Sequence, residues 1–392
     1  MMIIELFAPQ NRKRLVLKRG RERAVANRHP WLFTGAIAGE SGPDDAAIAD
    51  LVDERGALLA SGFHSKHSQI RLRALTFGEE LTADVIRERI VRAVARRTFS
   101  DDTNAFRVVN AEGDDLSGLV VDRYDDIVVV EIANAGVEKI KPLIVETIQH
   151  ALSPRGIFFK NDIPARKLER LSQENEWSGA GHPAAKIRES GLSFVVEPAE
   201  GQKTGFFLDQ RENRRIARSL AGGKRVLNLF SYSGAFGVYA AAGGAASVMN
   251  VDVSEKAIAL ARTNHELNGF GAEFVAADAF DWIRQSNDRF DLVICDPPAF
   301  AKSRGDIDRA ARGYKDINLQ SLRHVAPRAM LMTFSCSGHM SLDLFQKVIF
   351  SAAADAGRRA SIVRRLTAAP DHPVSLYCPE GEYLKGFLLA VE

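Results

Sequence analysis

Arg225-Val226-Leu227-Asn228-Leu229-Phe230-Ser231-Tyr232-Ser233-Gly234-Ala235-Phe236-Gly237 is the stretch on which the fold turns. Its first six residues have the apolar run of a buried strand, and the Ser-Tyr-Ser-Gly that follows is a turn leading into a helix. Small residues at such a turn let a ligand approach the backbone, and the helix after it presents free N–H groups. Phe230, Ser231, Ser233 and Gly234 are therefore candidate ligand contacts. The stretch is not G-x-G-x-x-G, so the dinucleotide fingerprint is not met. Many α/β proteins carry a small-residue turn after a strand, and its neighbours must narrow the reading.

Downstream, three more strands end in acids. Ser247–Val251 runs into Asp252 and Val253, where a carboxylate can accept hydrogen bonds from both hydroxyls of a ribose. Glu273–Ala277 runs into Asp278 and Ala279, placed for an exocyclic amine such as that of adenine. Each acid alone could equally be a helix N-cap or a surface carboxylate. Phe290–Cys295 runs into Asp296-Pro297-Pro298-Ala299-Phe300. Two prolines fix the backbone and remove N–H donors, which holds Asp296 and the proline carbonyls toward a planar nitrogenous base. Regular strand–helix alternation from Gly223 onward predicts a parallel sheet.

Working outward to the N-terminal side, the first 77 residues read as short strands and turns, with Leu15–Leu17, Leu51–Val52 and Ile70–Leu72 as strand cores. Between Arg12 and Arg28, the cations Arg12, Lys13, Arg14, Lys18, Arg19, Arg21, Arg23 and Arg28 stand against a single Glu22. Such a cluster can neutralise nucleic-acid phosphates, or it can be a solvated face, and charge alone leaves both open. Next, Thr82 caps a helix whose Val85, Ile86, Ile90, Val91 and Val94 share one face. Strands at Phe106–Val109, Gly118–Val121 and Ile127–Val130, a helical run Val137–Leu152 and a strand at Ile157–Phe159 give a small α+β layer. Ser172–Gly181 reads as a boundary loop. The expected division is 1–77, 78–180 and 181–392.

The bulk composition excludes several classes. At 392 residues, with 46% apolar and 26% charged residues, the chain reads as a soluble multidomain protein. No apolar run approaches the roughly 20 residues of a membrane span, so no membrane partner is expected. Met1–Gln10 lacks the pattern of a secretory signal, and the three cysteines, Cys295, Cys336 and Cys378, form no CxxC, which points to the cytoplasm. His64 and His67 lie in what reads as a polar loop, and no metal is expected.

The order Asn228–Gly237, Asp252, Asp278, Asp296-Pro297-Pro298 resembles the class I S-adenosylmethionine (SAM) methyltransferases. Gly201-Gln202-Lys203-Thr204-Gly205-Phe206-Phe207-Leu208-Asp209-Gln210-Arg211 and Asp296-Pro297-Pro298-Ala299-Phe300-Ala301-Lys302 look more closely like the bacterial large-subunit ribosomal RNA cytosine-5 methyltransferases. The resemblance covers nearly the whole chain. It implies an α/β Rossmann-like class I domain with a mixed seven-stranded sheet, preceded by a β-rich PUA-type pseudobarrel and a small α+β middle domain. It implies SAM as cofactor, with Thr204 and Asp209 added to its contacts. It implies large-subunit ribosomal RNA as partner, contacted by Lys18, Arg19, Arg21, Arg23 and Lys302, and is compatible with a homodimer.

The fifth strand, Ala329–Phe334, ends in Ser335-Cys336-Ser337. Fourth and fifth strands are neighbours in this fold, so Cys336 and Asp296 should face one crevice. A thiolate adding to carbon 6 of cytosine makes carbon 5 able to take a methyl group. Cys336 matches the Ser-Cys-Ser position of the family and is the expected nucleophile, with Asp296 holding the ring. Cys295 reads as a buried strand residue, and Cys378 precedes the last strand. Two other readings stay open: a methyltransferase acting on a guanine or adenine nitrogen or a non-ribosomal acceptor, and a non-catalytic RNA-binding or assembly factor with a relic SAM pocket.

Overall fold

The computed structural model describes residues 3–301 and 303–392, which fold as two compact units. The first holds residues up to Ile187 together with Val196–Phe206 and Asp371–Gly381; the second holds Arg188–Val195, Phe207–Pro370 and Glu382–Glu392.

The first unit begins with a six-stranded sheet. Its strands are β1 (Lys13–Leu17), β2 (Trp31–Phe33), β3 (Ile37–Ser41), β4 (Ile48–Val52), β5 (Leu58–His64) and β6 (Ile70–Phe77), in the order β2-β6-β5-β4-β1-β3. A single turn of helix, α1 (Glu22–Ala26), sits between β1 and β2. Leu15, Leu17, Leu51, Ala60 and Leu72 alternate inward and pack with Leu32. The basic cluster divides here. Arg12 is buried against Asp50 at 3.0 Å and Lys13 against Asp44 at 2.8 Å, so both serve the sheet, whereas Lys18, Arg19, Arg21 and Arg23 are exposed.

α2 (Ala83–Ala95) follows, with the Thr82 hydroxyl accepting from the Val85 amide at 3.4 Å. It buries Ile86, Ile90 and Ala93, but Val91, expected on that face, is 49% exposed: it falls off the stripe. The second sheet, β11-β10-β9-β8-β7, comprises β7 (Ala105–Asn110), β8 (Leu119–Tyr124), β9 (Ile127–Ile132), β10 (Gly156–Phe159) and β11 (Glu176–Gly179). The expected helix Val137–Leu152 is two helices, α3 (Ala135–Lys139) and α4 (Lys141–Leu152), meeting at Ile140 just before Pro142. α5 (Pro164–Leu168) precedes β11, which lies inside the stretch read as a loop, because the four residues Glu176-Trp177-Ser178-Gly179 gave no strand periodicity. One core joins Ile48, Phe63 and Leu75 to Ile86, Val121 and Ile144, which is why the two sheets form one unit.

A hairpin, β12 (Ala185–Glu189) and β13 (Leu192–Val196), follows in sequence. The second unit then alternates α6 (Arg211–Leu220), β14 (Arg225–Leu229), α7 (Ala235–Ala242), β15 (Ser247–Asp252), α8 (Glu255–Leu267), β16 (Glu273–Ala276), α9 (Ala279–Gln285), β17 (Phe290–Cys295), α10 (Ile307–His324), β18 (Val325–Ser335), α11 (Leu342–Asp355), β19 (Ala360–Thr367) and β20 (Lys385–Val391). Its seven-stranded sheet has the order β16-β15-β14-β17-β18-β20-β19, with β20 antiparallel to both neighbours and the first five strands parallel. Helices cover both faces, over separate cores around Leu229, Val293 and Leu331 and around Val226, Ile294 and Met332. The strand order reverses beside β14, and a ligand crevice forms outside the carboxyl ends at such a point.

Candidate functional site

The turn after β14 is strained where a ligand would meet it. Phe230 and Tyr232 have φ of 58° and 45°, values that a bulky side chain adopts only at a cost of about 1–3 kcal/mol each. Gly234 has φ 70°, and a Cβ there would lie 2.7 Å from the Ala261 Cβ, so only glycine lets α8 approach the start of α7. Neighbouring groups hold the turn. The Ser231 amide donates to Val251 O at 3.0 Å, the Tyr232 amide to Asp252 Oδ2 at 2.8 Å, and Asn264 Nδ2 to Ser233 O at 2.9 Å. Ser231 Oγ is buried and has no hydrogen-bond partner among the described residues. An orphaned hydroxyl on a strained turn suits a polar ligand, and SAM, with its amino, carboxylate and ribose groups, fits that demand.

Asp252 ends β15 with its Oδ1 accepting from the Ser254 amide at 2.9 Å, which fixes the carboxylate and leaves lone pairs on both oxygens. Val253, beside it, is 70% exposed. Asp278 is the N-cap of α9: its Oδ1 receives the Phe280 and Asp281 amides at 2.8 and 3.3 Å, while Oδ2 takes part in neither bond. Ala279 is buried.

On the neighbouring strands Cys295 pairs with Thr333, so the Asp296-Pro297-Pro298 turn and Ser335-Cys336-Ser337 leave adjacent carboxyl ends of the sheet. The Cys336 Sγ lies 3.8 Å from Pro297 O, and the thiol is partly exposed. Gln210 Nε2 donates to Asp296 Oδ2 at 2.9 Å, and Gln210 is itself held by Asn213 Nδ2 at 2.6 Å. Lys385, paired with Ser335 across β18 and β20, donates to Ser337 O and Met340 O at 2.9 and 2.7 Å. Burial holds its ammonium below the ordinary lysine range, against the opposing pull of Glu382 and Cys336. Ser337 Oγ joins Tyr314 at 2.9 Å and receives the Ala301 amide at 3.2 Å. Cys295 is fully buried, and that burial pushes its thiol up to about 12; such a thiol is inert.

Asp209 is buried in the second unit and accepts from the Tyr383 hydroxyl at 2.6 Å. Thr204 belongs to the first unit, where its hydroxyl donates to Asp122 at 2.5 Å and meets Tyr124 Oη at 2.8 Å; the side chain expected to contact cofactor is committed to that network. Lys302 lies outside the described residues. His64 ends β5 and is buried, its Nδ1 3.1 Å from Ala46 O, rather than in a polar loop. Among the described residues, His29, Cys378 and Glu380 bring potential metal-ligand atoms within 4.8 Å of one another. The Trp31 amide donates to His29 Nδ1 at 3.1 Å, which leaves the ring proton on Nε2, pointing at Glu380 rather than a lone pair at a metal. Sequence reasoning missed Gln210, Tyr383 and Lys385; Gln210 stands inside the Gly201–Arg211 segment, whereas the last two gave no signal before the sheet was closed.

The family model described as S-adenosylmethionine-dependent methyltransferase matches residues 165–374, and that described as PUA-like domain matches residues 15–77. The chain is 42% identical to the ribosomal RNA large subunit methyltransferase I of Shewanella denitrificans, over 96% of this chain and 99% of that protein. It is 40% identical to the protein of the same name from Photobacterium profundum, again over 96% and 99%. Among solved structures, SMU.776 in complex with SAH aligns with TM-score 0.83 at 24% identity, covering 96% of this chain and 99% of that one. A Streptococcus mutans protein assigned as a SAM-dependent methyltransferase gives 0.81 at 23%, with the same coverage. At these identities the structures speak to the fold, that of a class I methyltransferase.

Proposed function

The chain belongs to the ribosomal RNA large subunit methyltransferase I family of SAM-dependent enzymes, and from that premise we propose that it methylates carbon 5 of a cytosine in large-subunit ribosomal RNA with Cys336 as nucleophile. The observation that carries this reading is the Cys336 Sγ 3.8 Å from Pro297 O, a thiol beside the Asp296-Pro297-Pro298 turn. SAM, when bound, supplies a methyl group on a positively charged sulfur. Phe230, Ser231, Ser233, Gly234, Asp252, Val253, Asp278, Ala279 and Asp209 would hold it.

The Cys336 thiolate adds to carbon 6 of the target ring, and the electron pair displaced from the carbon 5–carbon 6 bond makes carbon 5 nucleophilic. Asp296, braced by Gln210, hydrogen-bonds the ring and favours its protonation at nitrogen 3. After transfer, carbon 5 gives its proton to water, the electron pair left behind restores the 5–6 double bond, and the carbon 6–sulfur bond breaks to release the thiolate. A stacked base must swing out to reach a crevice of this kind.

In the same reading residues 1–77 bind RNA, with exposed Lys18, Arg19, Arg21 and Arg23 neutralising phosphates, 78–180 form the middle domain and 181–392 the methyltransferase domain. No helix among the described residues is long and apolar enough to cross a membrane. A cytoplasmic enzyme fits this reading, and sedimentation would show whether it pairs as a homodimer.

Large-subunit ribosomal RNA carrying tritium on cytosine carbon 5, incubated with SAM and the protein, should release tritium to water. Cys336→Ala should cut that release on the order of 10³-fold or more. Methyl transfer without release would place the methyl group on another atom and return Cys336 to a structural role.

A further inference from the structure

The loop Asp371–Gly381 lies in sequence between β19 and β20 of the methyltransferase sheet, yet it belongs to the first unit. It is anchored at its base. The Asp371 carboxylate accepts the Arg107 amide at 2.9 Å, Asp371 O accepts from Arg97 at 3.2 Å, and Pro373 O accepts from Asn110 Nδ2 at 2.9 Å. Gly113 packs so closely under Pro373 O that a Cβ would come within 1.9 Å of it. At the other end Cys378 is buried and Glu380 meets His29 at 3.4 Å.

The tip held between these anchors is apolar and open to solvent: Val374 is 42%, Leu376 96% and Tyr377 55% exposed. A rigid loop that presents an aromatic ring and a leucine to water has a partner to meet, because an apolar tip without one gains nothing from being fixed. Beside the tip lies an open depression of about 830 Å³ lined by Arg23, Asn27, Arg28, Leu376 and Tyr377. Arg28 has φ 55°, a strained position for an arginine, and it also lines a smaller cavity, of about 230 Å³, that Tyr377 shares. Among the described residues neither Arg23 nor Arg28 has a carboxylate within ion-pair distance.

An aromatic face beside unpaired guanidinium groups suits a nucleotide with its base unstacked: the base lies on the ring and the flanking phosphates on the arginines. We propose that the Val374–Tyr377 tip, with Arg23 and Arg28, is a docking site for an unpaired nucleotide of the RNA substrate. The site rests on the reading that the substrate is RNA, and it brings a stretch of C-terminal sequence onto the PUA-like surface.

Fluorescence anisotropy of full-length protein with protein-free large-subunit ribosomal RNA fragments, at several salt concentrations, tests the site. Tyr377→Ala should weaken binding on the order of 10-fold with an unchanged salt slope, and Tyr377→Trp should restore it. Arg23→Ala with Arg28→Ala should lower the slope by about 0.7 for each phosphate that is no longer neutralised. Calorimetric SAM affinity in Tyr377→Ala should equal wild type, showing that the variant is folded. RNA affinity unchanged in both Tyr377→Ala and Leu376→Ala would overturn the proposal and leave the tip to a protein partner. Tritium release by the wild type reads the proposed activity separately: release with unaffected RNA binding in the variants sinks only the docking site, and lost RNA binding without release sinks only the cytosine reading.

Discussion

Ser231 shows how much of the site rests on single atoms. Its hydroxyl is buried without a partner, at a cost of about 1–3 kcal/mol to the cofactor-free protein. Ser231→Ala removes that cost, so the variant without cofactor should be as stable as wild type or up to about 1 kcal/mol more so, while SAM affinity falls several-fold. Thermal unfolding without cofactor, set beside calorimetry with SAM, reads both effects. A lower melting temperature with unchanged affinity would make Ser231 a structural residue. At this scale the sequence located Asp252, Asp296 and Cys336 at or just beyond the carboxyl ends of strands, where the structure has them. It was silent where a residue acts through a neighbour: nothing in Gly-Glu-Tyr-Leu-Lys385 announces that the ammonium holds the carbonyls of Ser337 and Met340, because that bond exists only once β20 lies beside β18. Thr204 shows the opposite limit, a motif residue whose hydroxyl the tertiary structure spends on Asp122 and Tyr124.

Among the elements, α7, α8, β14 and β15 make one polar layer under the turn that follows β14. Asn228 Nδ2 donates to Asn250 Oδ1 at 2.9 Å, and Asn250 Nδ2 lies 3.3 Å from His265 Nε2. A Cβ on Gly237 would reach within 2.4 Å of Asn250 Oδ1, so glycine at this position serves the layer. Burial pushes the His265 imidazole down to about 4 from 6.5. Below pH 6.5 the unfolded chain takes up a proton that the folded one refuses, so stability is fully present above 6.5 and is lost as the pH falls toward 4. The loss is on the order of 3 kcal/mol. Urea unfolding at pH 7 and pH 4.5 should therefore show a larger acid loss in wild type than in His265→Gln, and equal losses would mean that the imidazole titrates normally in the fold. The parallel strands were legible because each is a continuous apolar run ending in a small or acidic residue. β11 and the break between α3 and α4 were not: a four-residue edge strand carries no period, and Lys141-Pro142 begins a new helix without disturbing the apolar stripe on either side.

Over the whole molecule, the partition along the chain and the partition in space differ. Charge, periodicity and Gly/Pro punctuation divide the sequence at 77 and 180, but they cannot reveal that Val196–Phe206 and Asp371–Gly381 fold with residues up to Ile187. Those two segments complete buried polar networks in the first unit. Thr204 satisfies Asp122, which has no solvent exposure and also pairs with Arg107 at 2.8 Å. Asp371 caps the Arg107 amide on β7, and Arg97, paired with buried Asp114, also reaches Asp371 O. A fragment ending at Ile187 keeps both sheets and their shared core but strands these groups, each at about 1–3 kcal/mol. Expressed alone, residues 1–187 should melt well below the first unit within the intact chain, by an amount matching a loss of about 3 kcal/mol or more. Supplying residues 188–392 as a separate chain should restore part of that stability, because it returns both segments to their partners. Calorimetric melting of the fragment, the mixture and the full chain separates the cases, and a fragment that melts at the temperature of the intact unit would mean that its core alone carries the stability and that the two returning segments are passengers.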